Sequence, residues 1–263
     1  MTECRGDINM KKVTAIIGTQ TRKATYRAVQ EFEKNLKQQS EIDFEYVFLS
    51  DYHLEFCRGC KVCFDKGEEY CPLKDDRDVL LEKIEQSDGI IFATPNYAFQ
   101  LSARMKNLFD RLAYIDHRPR FFGKTCTAIV TQGIGKGGDI LKYLYFAGEN
   151  MGFHISKGCC VNTLEPMTEV QQDKLIKKVK KVSNKFYREL LHPTPPPSFF
   201  RLMMFRVSRP LIKSAGEKYR DYHYYKEKGW FDNDYYYPTS LGLPKKLAGY
   251  LFDLFGRQMV KQQ

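Results

Sequence analysis

Five short apolar runs, each followed by a segment with helical spacing, constrain the fold of this chain more than any other feature. The runs cover residues 13–18, 44–49, 89–93, 125–131 and 155–161. Their length suits strands that are buried on both faces of a sheet. The helical segments lie at residues 26–36, around 79–84, and at 102–114, 139–151 and 170–191. Such alternation predicts an α/β fold with a five-stranded, doubly wound parallel sheet, and right-handed crossovers favour the strand order 2-1-3-4-5.

Composition and charge narrow the functional class. Hydrophobic residues make up 43% and charged residues 28% of the 263-residue chain, which is typical of a globular protein. The formal charge of +10 is spread over predicted helix faces, and no recognised nucleic-acid module is present, so we expect no nucleic-acid partner. No apolar run reaches the roughly 18 residues of a spanning helix. The polar N-terminus lacks the apolar core of a signal peptide, so we expect a cytoplasmic protein with reduced thiols.

Three loops follow the first, third and fourth predicted strands and should meet at one edge of the sheet. The loop over residues 18–26 carries three threonines and two cations at a helix start, which suits a phosphate or a plain helix cap. The loop over 94–100 holds Tyr97 and Phe99, which can flank a planar ring or simply pack. The four glycines of residues 131–138 let the backbone approach a ligand, or form a flexible link. Together the loops fit a mononucleotide with a flat ring.

Residues 12 to about 165 resemble the NAD(P)H-dependent FMN reductase group of the flavodoxin-like superfamily. The motifs that carry the resemblance are Lys74-Asp75-Asp76, Thr94-Pro95-Asn96-Tyr97 and Met105-Lys106-Asn107-Leu108-Phe109-Asp110-Arg111. The resemblance implies a flavodoxin-like fold and a bound FMN whose phosphate is surrounded by Thr19, Thr21, Arg22, Thr25 and Tyr26. It implies that the ring is lined by Pro95, Asn96, Tyr97 and Phe99 and covered by Gln132, Gly133 and Gly135. The first loop departs from the family's usual Gly-Ser-Pro-Arg, because it reads Gly-Thr-Gln-Thr-Arg.

The activity that the resemblance implies is electron transfer from NAD(P)H through the flavin to a quinone, a flavin or another small acceptor. No separate catalytic acid or base is expected, because the cofactor carries the chemistry. The resemblance also implies a homodimer or higher oligomer. Two alternatives are a non-enzymatic FMN electron carrier or redox sensor, and a membrane-associated scaffold that has lost the flavin.

Four of the eight cysteines lie in one short segment, at Cys57, Cys60, Cys63 and Cys71. This spacing can hold a [4Fe–4S] cluster or zinc, or the thiols can remain reduced without a metal. Iron–sulfur flavoproteins of the same superfamily use a compact motif of this type, whereas plain FMN reductases carry similar cysteines without a cluster. Cys159 and Cys160 are interpreted as small core residues of the fifth strand.

Prolines at positions 193 and 195–197 separate the predicted FMN-binding domain, residues 12–192, from a mainly helical C-terminal extension, residues 193–263. From residue 198 onward, twelve basic residues stand against six acidic ones. One predicted helical face is apolar and is formed by Leu247, Tyr250, Leu251, Leu254, Phe255 and Met259. Such a basic amphipathic helix can make peripheral contact with an anionic membrane, or pack on the core or on a second subunit. The aromatic content of the extension favours packing.

Overall fold

The computed structural model of the protein describes residues 10–192 and 194–262. Cys4 and the predictions for the N-terminus before Met10 lie outside the described residues, as does Pro193. The described chain divides into two compact units. The first contains residues 10–57 and 74–192, and the second contains residues 58–73 and 194–262. Three of the four clustered cysteines therefore belong to the second unit, together with the C-terminal extension.

The first unit is built on a sheet of the predicted class. Its strands are β1 (Lys11–Ile17), β2 (Ile42–Phe48), β3 (Gly89–Tyr97), β4 (Gln100–Leu101), β5 (Thr125–Gln132), β6 (His154–Ile155) and β7 (Cys159–Asn162). The parallel strands run in the order β2-β1-β3-β5, with β6 and β7 both paired to β5 on its outer side. This arrangement confirms the predicted α/β fold and the order 2-1-3-4-5, where the fifth predicted strand corresponds to β6 and β7.

The fifth predicted strand is divided because the chain leaves regular pairing between Ile155 and Cys159. The N–H of Ser156 still donates to the carbonyl of Cys126 at 2.8 Å, but the N–H of Gly158 donates to the hydroxyl of Tyr145 at 2.6 Å. A Cβ on Gly158 would lie 1.8 Å from the carbonyl oxygen of Ala128, so only glycine fits this close approach. The short antiparallel strand β4 was not predicted and folds back on the end of β3.

Helices cover both faces of the sheet. Those of the first unit are α1 (Ala24–Lys37), α3 (Arg77–Glu85), α4 (Ala103–Arg111), α5 (Gly137–Asn150) and α6 (Glu169–Leu190). Short 3-10 helices cover Leu49–Asp51 and Ala113–Asp116, so the predicted helix over 102–114 ends as an α-helix at Arg111. On one face, Phe32 of α1 meets Phe186 of α6 with ring centroids 5.4 Å apart. On the other face, Phe92 of β3 contacts Phe109 of α4 at 5.0 Å.

The second unit consists of α2 (Val62–Asp65), a 3-10 helix over Glu68–Tyr70, α7 (Phe199–Ala215), α8 (Arg220–Glu227) and α9 (Leu243–Lys261). Helices α7 and α9 pack along each other, and α2 contacts α8. Trp230 is buried with its ring against Tyr225 at 5.0 Å and Tyr236 at 4.7 Å. Within residues 10–192 and 194–262, no helix combines the length and apolar character needed to cross a membrane.

Candidate functional site

The loop after β1 leads into a helix whose first N–H groups are open to a ligand. Among the described residues, no side chain caps the start of α1, and its first turn contains no acidic residue. The N–H of Gly18 donates to the carbonyl of Ala93 at 2.8 Å, which ties the loop to the end of β3. The hydroxyl of Thr19 lies 3.2 Å from the hydroxyl of Thr21 and also accepts the N–H of Thr21. An uncapped helix start beside two hydroxyls is suited to a phosphate.

The other residues implied at the phosphate are partly engaged in packing. Thr25 is buried, and its hydroxyl lies 2.7 Å from the hydroxyl of Thr131 on β5. The ring of Tyr26 packs edge-on against Tyr46. The guanidinium of Arg22 lies 5.1 Å from the ring centre of Phe48, and Arg22 is an exposed residue. The structure thus gives Thr25 and Tyr26 packing contacts in addition to their predicted site role.

The loop after β3 is a tight hairpin in a strained conformation. Ala98 and Phe99 form its two-residue turn, with φ angles of 49° and 64°. Positive φ at both positions is normally reserved for Asn-Gly sequences, so alanine and phenylalanine carry strain here. Tyr97 and Phe99 are 61% and 62% exposed. A hairpin that holds two large rings in solvent at a sheet edge is typical of a surface that a ligand covers.

Asn96, which precedes the hairpin turn, has an unpaired acceptor. Its side-chain Nδ2 donates to the carbonyl of Gly135 at 2.9 Å, and this bond fixes which way the amide points. Its Oδ1 is buried and has no hydrogen-bond partner among the described residues. A Cβ built on Gly135 would meet nothing within 4 Å, so space remains beside this glycine. A buried carbonyl oxygen without a donor is costly unless a ligand supplies one.

Gln132 has a structural role that the sequence did not indicate. Its Oε1 accepts the N–H of Gly137 at the start of α5 at 2.8 Å, and its Nε2 donates to Asn162 Oδ1 at 2.8 Å. Both ends of the amide therefore shape the glycine loop. A Cβ on Gly133 would lie 3.1 Å from Leu164. These contacts hold the loop of residues 132–137 at the edge where the Asn96 amide and the Tyr97 ring lie.

Two motifs quoted for the family resemblance meet in a buried ion pair. Arg111 donates to both carboxylate oxygens of Asp75, with an Nη2–Oδ1 distance of 2.9 Å, and the two side chains are 2% and 1% exposed. The carboxylate also accepts the N–H of Glu55 at 2.8 Å. Burial raises the pKa of Asp75, but the hydrogen bonds from Arg111 and the backbone outweigh it and lower the pKa below its ordinary value.

The same cluster holds the backbone just before the cysteine segment. Asn107 Nδ2 donates to the carbonyls of Leu54 and Glu55, each at 3.1 Å, and its Oδ1 accepts the N–H of Cys57 at 3.2 Å. No role for Asp75, Asn107 or Arg111 was predicted from the sequence. All three are polar or charged residues within the motifs that carry the family resemblance, and that position is the signal that could have identified them.

The clustered cysteines differ in their surroundings. Cys57 and Cys60 are exposed, and Cys63 and Cys71 are partly buried. No group of three or more His, Cys, Asp or Glu side chains within the described ranges is arranged to hold a metal ion. Cys159 is buried, as expected of a core residue, and burial raises the pKa of its thiol to about 12.

Comparison with known proteins agrees with this fold. The family model described as NADPH-dependent FMN reductase matches residues 11–154. An iron–sulfur flavoprotein of Archaeoglobus fulgidus is 29% identical over 198 residues, which cover 73% of this chain and 86% of the relative. One from Methanocaldococcus jannaschii is 41% identical over 70 residues, or 27% of this chain and 35% of the relative.

Solved structures show the same fold at low sequence identity. An azoreductase from Bacillus anthracis superposes with a TM-score of 0.54 at 14% identity, covering 67% of this chain and 100% of the azoreductase. An NAD(P)H:quinone oxidoreductase from Methanothermobacter marburgensis gives 0.53 at 15% identity, covering 70% of this chain and 98% of that one. At such identities the likeness describes the architecture, and the ligand must be argued from the residues of the site.

Proposed function

We infer that the chain, which belongs to the NADPH-dependent FMN reductase family, binds FMN at the loops after β1, β3 and β5. Family membership makes the protein an NAD(P)H-dependent flavin oxidoreductase. We further propose that a quinone, a flavin or another small molecule accepts the electrons. The quinone oxidoreductase and azoreductase among the structural neighbours support small aromatic acceptors by analogy only.

The observation that carries the proposed site is the unpaired Oδ1 of Asn96. A flat heterocycle with a ring N–H would supply the donor that this oxygen lacks. Tyr97 and Phe99 stand beside it in the same hairpin and offer apolar ring faces. A Cβ on Gly135 would meet no atom within 4 Å, so this side of the loop is open.

The phosphate end would be held by the loop after β1. We propose that the N–H groups at the start of α1 and the hydroxyls of Thr19 and Thr21 donate to the phosphate, with Arg22 supplying positive charge. The chemistry that FMN supplies when bound is acceptance of a hydride and onward electron transfer. The protein's part is to orient the ring through Asn96 and to exclude water with Tyr97 and Phe99.

An iron–sulfur cluster would add a second redox group. The A. fulgidus and M. jannaschii relatives are named iron–sulfur flavoproteins, and these names support a cluster in the present chain as a proposal. The ligand set Cys57, Cys60, Cys63 and Cys71 remains a prediction. The proposed electron path runs through the flavin, and a cluster at these cysteines would extend it. A homodimer also remains a prediction, and light scattering on the purified protein tests it.

The first test replaces Asn96 with leucine, which has a similar shape but no acceptor. We expect the Kd for FMN to rise about tenfold, as for the loss of one buried hydrogen bond. Flavin fluorescence during titration measures the Kd. Asn150→Ala, at the far end of α5, is the control and should leave the Kd unchanged. If Asn96→Leu binds FMN as tightly as the natural protein, the proposed ring site is wrong.

Steady-state oxidation of NAD(P)H distinguishes an enzyme from an electron carrier or a sensor. The FMN-loaded protein should oxidise NAD(P)H steadily when a quinone or free flavin is the acceptor. FMN binding without NAD(P)H oxidation would favour an electron carrier or sensor that needs a partner reductase.

The predicted ligand set of four cysteines is tested by measuring iron and acid-labile sulfide on protein purified without oxygen. A [4Fe–4S] cluster requires about four iron atoms per chain.

A further inference from the structure

Helix α9 turns an apolar face toward solvent. The six residues of this outer face are between 43% and 73% exposed. They are Leu243, Leu247, Tyr250, Leu251, Leu254 and Phe255. Spacings of three, four and seven residues place these side chains on one side of a helix. Soluble proteins rarely leave such a continuous apolar strip uncovered, so the outer face of α9 indicates an interaction surface.

The opposite face of α9 explains why the outer face cannot simply turn inward. Gly249, Asp253 and Gly256 are its buried residues, and they pack on α7. A Cβ on Gly256 would lie 2.6 Å from Pro210 and 2.9 Å from the carbonyl of Val207, so a larger residue does not fit there. The rotation of α9 about its axis is therefore fixed by small residues, and the outer face stays outside.

An ion cluster holds the same orientation. The carboxylate of Asp253 accepts hydrogen bonds from Arg206 at 2.8 Å and from Arg209 at 2.5 Å. Asp253 is 9% exposed, so its charge is neutralised inside the helix pair. The acidic residue Asp253 points inward and the leucines point outward, whereas an ordinary surface helix buries its leucines.

The exposed charges of α7 and α9 are of one sign. The sequences of α7 and α9 contain a single acidic residue, Asp253, and it is buried. Lys246, Arg257 and Lys261 are exposed on α9. On α9 itself, the outer face is thus an apolar strip whose exposed charged neighbours are cations. This combination is complementary to a surface that has an apolar interior and a negatively charged outer layer.

We propose that the outer face of α9 docks on an anionic lipid surface, with the helix lying in the plane of the membrane. Leu247, Leu251 and Phe255 would enter the boundary of the acyl chains, while Lys246 and Arg257 reach the headgroups. A second copy is the less suitable occupant. Pairing α9 with α9 antiparallel sets the Lys246 end of one copy beside the Arg257 end of the other, and parallel pairing sets like residues together, so cations repel in either case. This proposal does not rest on the flavin site.

The test is flotation of the full-length, FMN-loaded protein with phosphatidylcholine vesicles that contain or lack phosphatidylserine. We expect the natural protein to float only with the anionic vesicles. The double substitution Leu247→Glu with Leu251→Glu should lower the partition coefficient about tenfold or more. Lys246→Gln with Arg257→Gln should lower it by a similar factor, because each cation near the surface contributes to binding.

A matched control makes the same chemical change elsewhere. Val170 and Ile176 on the basic helix α6 are 62% and 42% exposed, and their joint replacement by glutamate adds the same charge. This variant should float like the natural protein. Fluorescence of Trp230, a buried residue of the second unit, checks that the α9 variants remain folded.

Two results would overturn the proposal. One is equal flotation by the natural protein and the Leu247→Glu, Leu251→Glu variant, or equal binding to neutral and anionic vesicles. The other is a dimer of the natural protein that becomes a monomer in this variant while neither protein binds vesicles. The second result would assign the outer face of α9 to a second copy of the chain.

Discussion

Helices α1 and α9 have similar apolar spacing but opposite orientations. In α1, Ala28, Val29, Phe32 and Leu36 are fully buried, and the exposed positions are polar. In α9, the buried positions are two glycines and an aspartate, and the leucines are exposed. Periodicity therefore predicts that a segment is helical, but it does not determine which side faces inward. That choice depends on what the neighbouring element offers as a partner.

Buried charge gives a second contrast between the two units. In the first unit, the side chains of Asp75 and Arg111 are 1% and 2% exposed and lie beside the backbone of residues 54–57. In the second unit, Asp253 is shared by Arg206 and Arg209, whose side chains are 9% and 12% exposed. The other hydrogen-bond partners of the first pair include backbone groups of Glu55 and Arg77 in the protein interior, whereas Arg206 in the second cluster also pairs with the exposed carboxylate of Asp234. The cost of breaking each should differ accordingly.

The largest effect is expected for Asp75→Asn, which removes the buried carboxylate that pairs with the guanidinium of Arg111. The free energy of unfolding should fall by about 3–5 kcal/mol. Denaturant unfolding followed by far-UV circular dichroism measures it. Asp110→Asn is the matched control, because Asp110 pairs with Lys106 on the same helix but both side chains are nearly half exposed. Its cost should be about 0.5 kcal/mol or less, and equal costs for both variants would contradict the comparison.

The same pair has a pH dependence with a definite sign. The pKa of Asp75 is lowered, so its stabilising contribution is present above the ordinary value of 3.8 and disappears as pH falls through the lowered pKa. Unfolding of the natural protein should therefore become easier as pH drops below about 4. The stability of Asp75→Asn should change less over that range, because its residue 75 does not titrate.

The sequence predicted the sheet well because each parallel strand is a local apolar run. It also predicted which loops lie at one sheet edge, since strand order determines that edge. It did not predict the Asp75–Arg111 pair, whose partners are 36 residues apart. It did not predict that the amide of Gln132 would be used to hold Gly137 and Asn162. Such contacts depend on the three-dimensional approach of loops, which spacing along the chain does not encode.

The orientation of α9 escaped prediction for a related reason. Leu247, Tyr250, Leu251, Leu254 and Phe255 were correctly placed on one helical side, whereas Met259, which was assigned to the same side, is only partly exposed. The aromatic content of the extension favoured packing. The structure instead buries Gly249 and Gly256 against α7. Small residues produce no hydrophobic signal in a sequence, although they allow two helices to approach closely.

An intermediate effect is expected for Asp253→Asn in the second unit. Arg206 would keep its bonds to Asp234, and Arg209 would keep the carbonyl of Asn233 at 2.6 Å. The free energy of unfolding should therefore fall by about 2 kcal/mol, which is less than the cost of breaking a fully buried ion pair. Fluorescence of Trp230, the one tryptophan in the sequence, reports unfolding of this unit. Asp232→Asn, at an exposed position, is the control, and an unchanged unfolding midpoint for Asp253→Asn would contradict the prediction.

The smallest effect is expected for Leu251→Ala on the outer face of α9. Leu251 is 62% exposed, and alanine is a stronger helix former, so stability should change by less than about 0.5 kcal/mol. The control is Leu202→Ala on α7, whose side chain is 0% exposed and whose loss should cost about 2–5 kcal/mol. Denaturant unfolding at low and high protein concentration, followed by Trp230 fluorescence, measures both. A large, concentration-dependent cost for Leu251→Ala would mean that another copy covers the outer face in solution, and the contrast between α1 and α9 would then disappear on assembly.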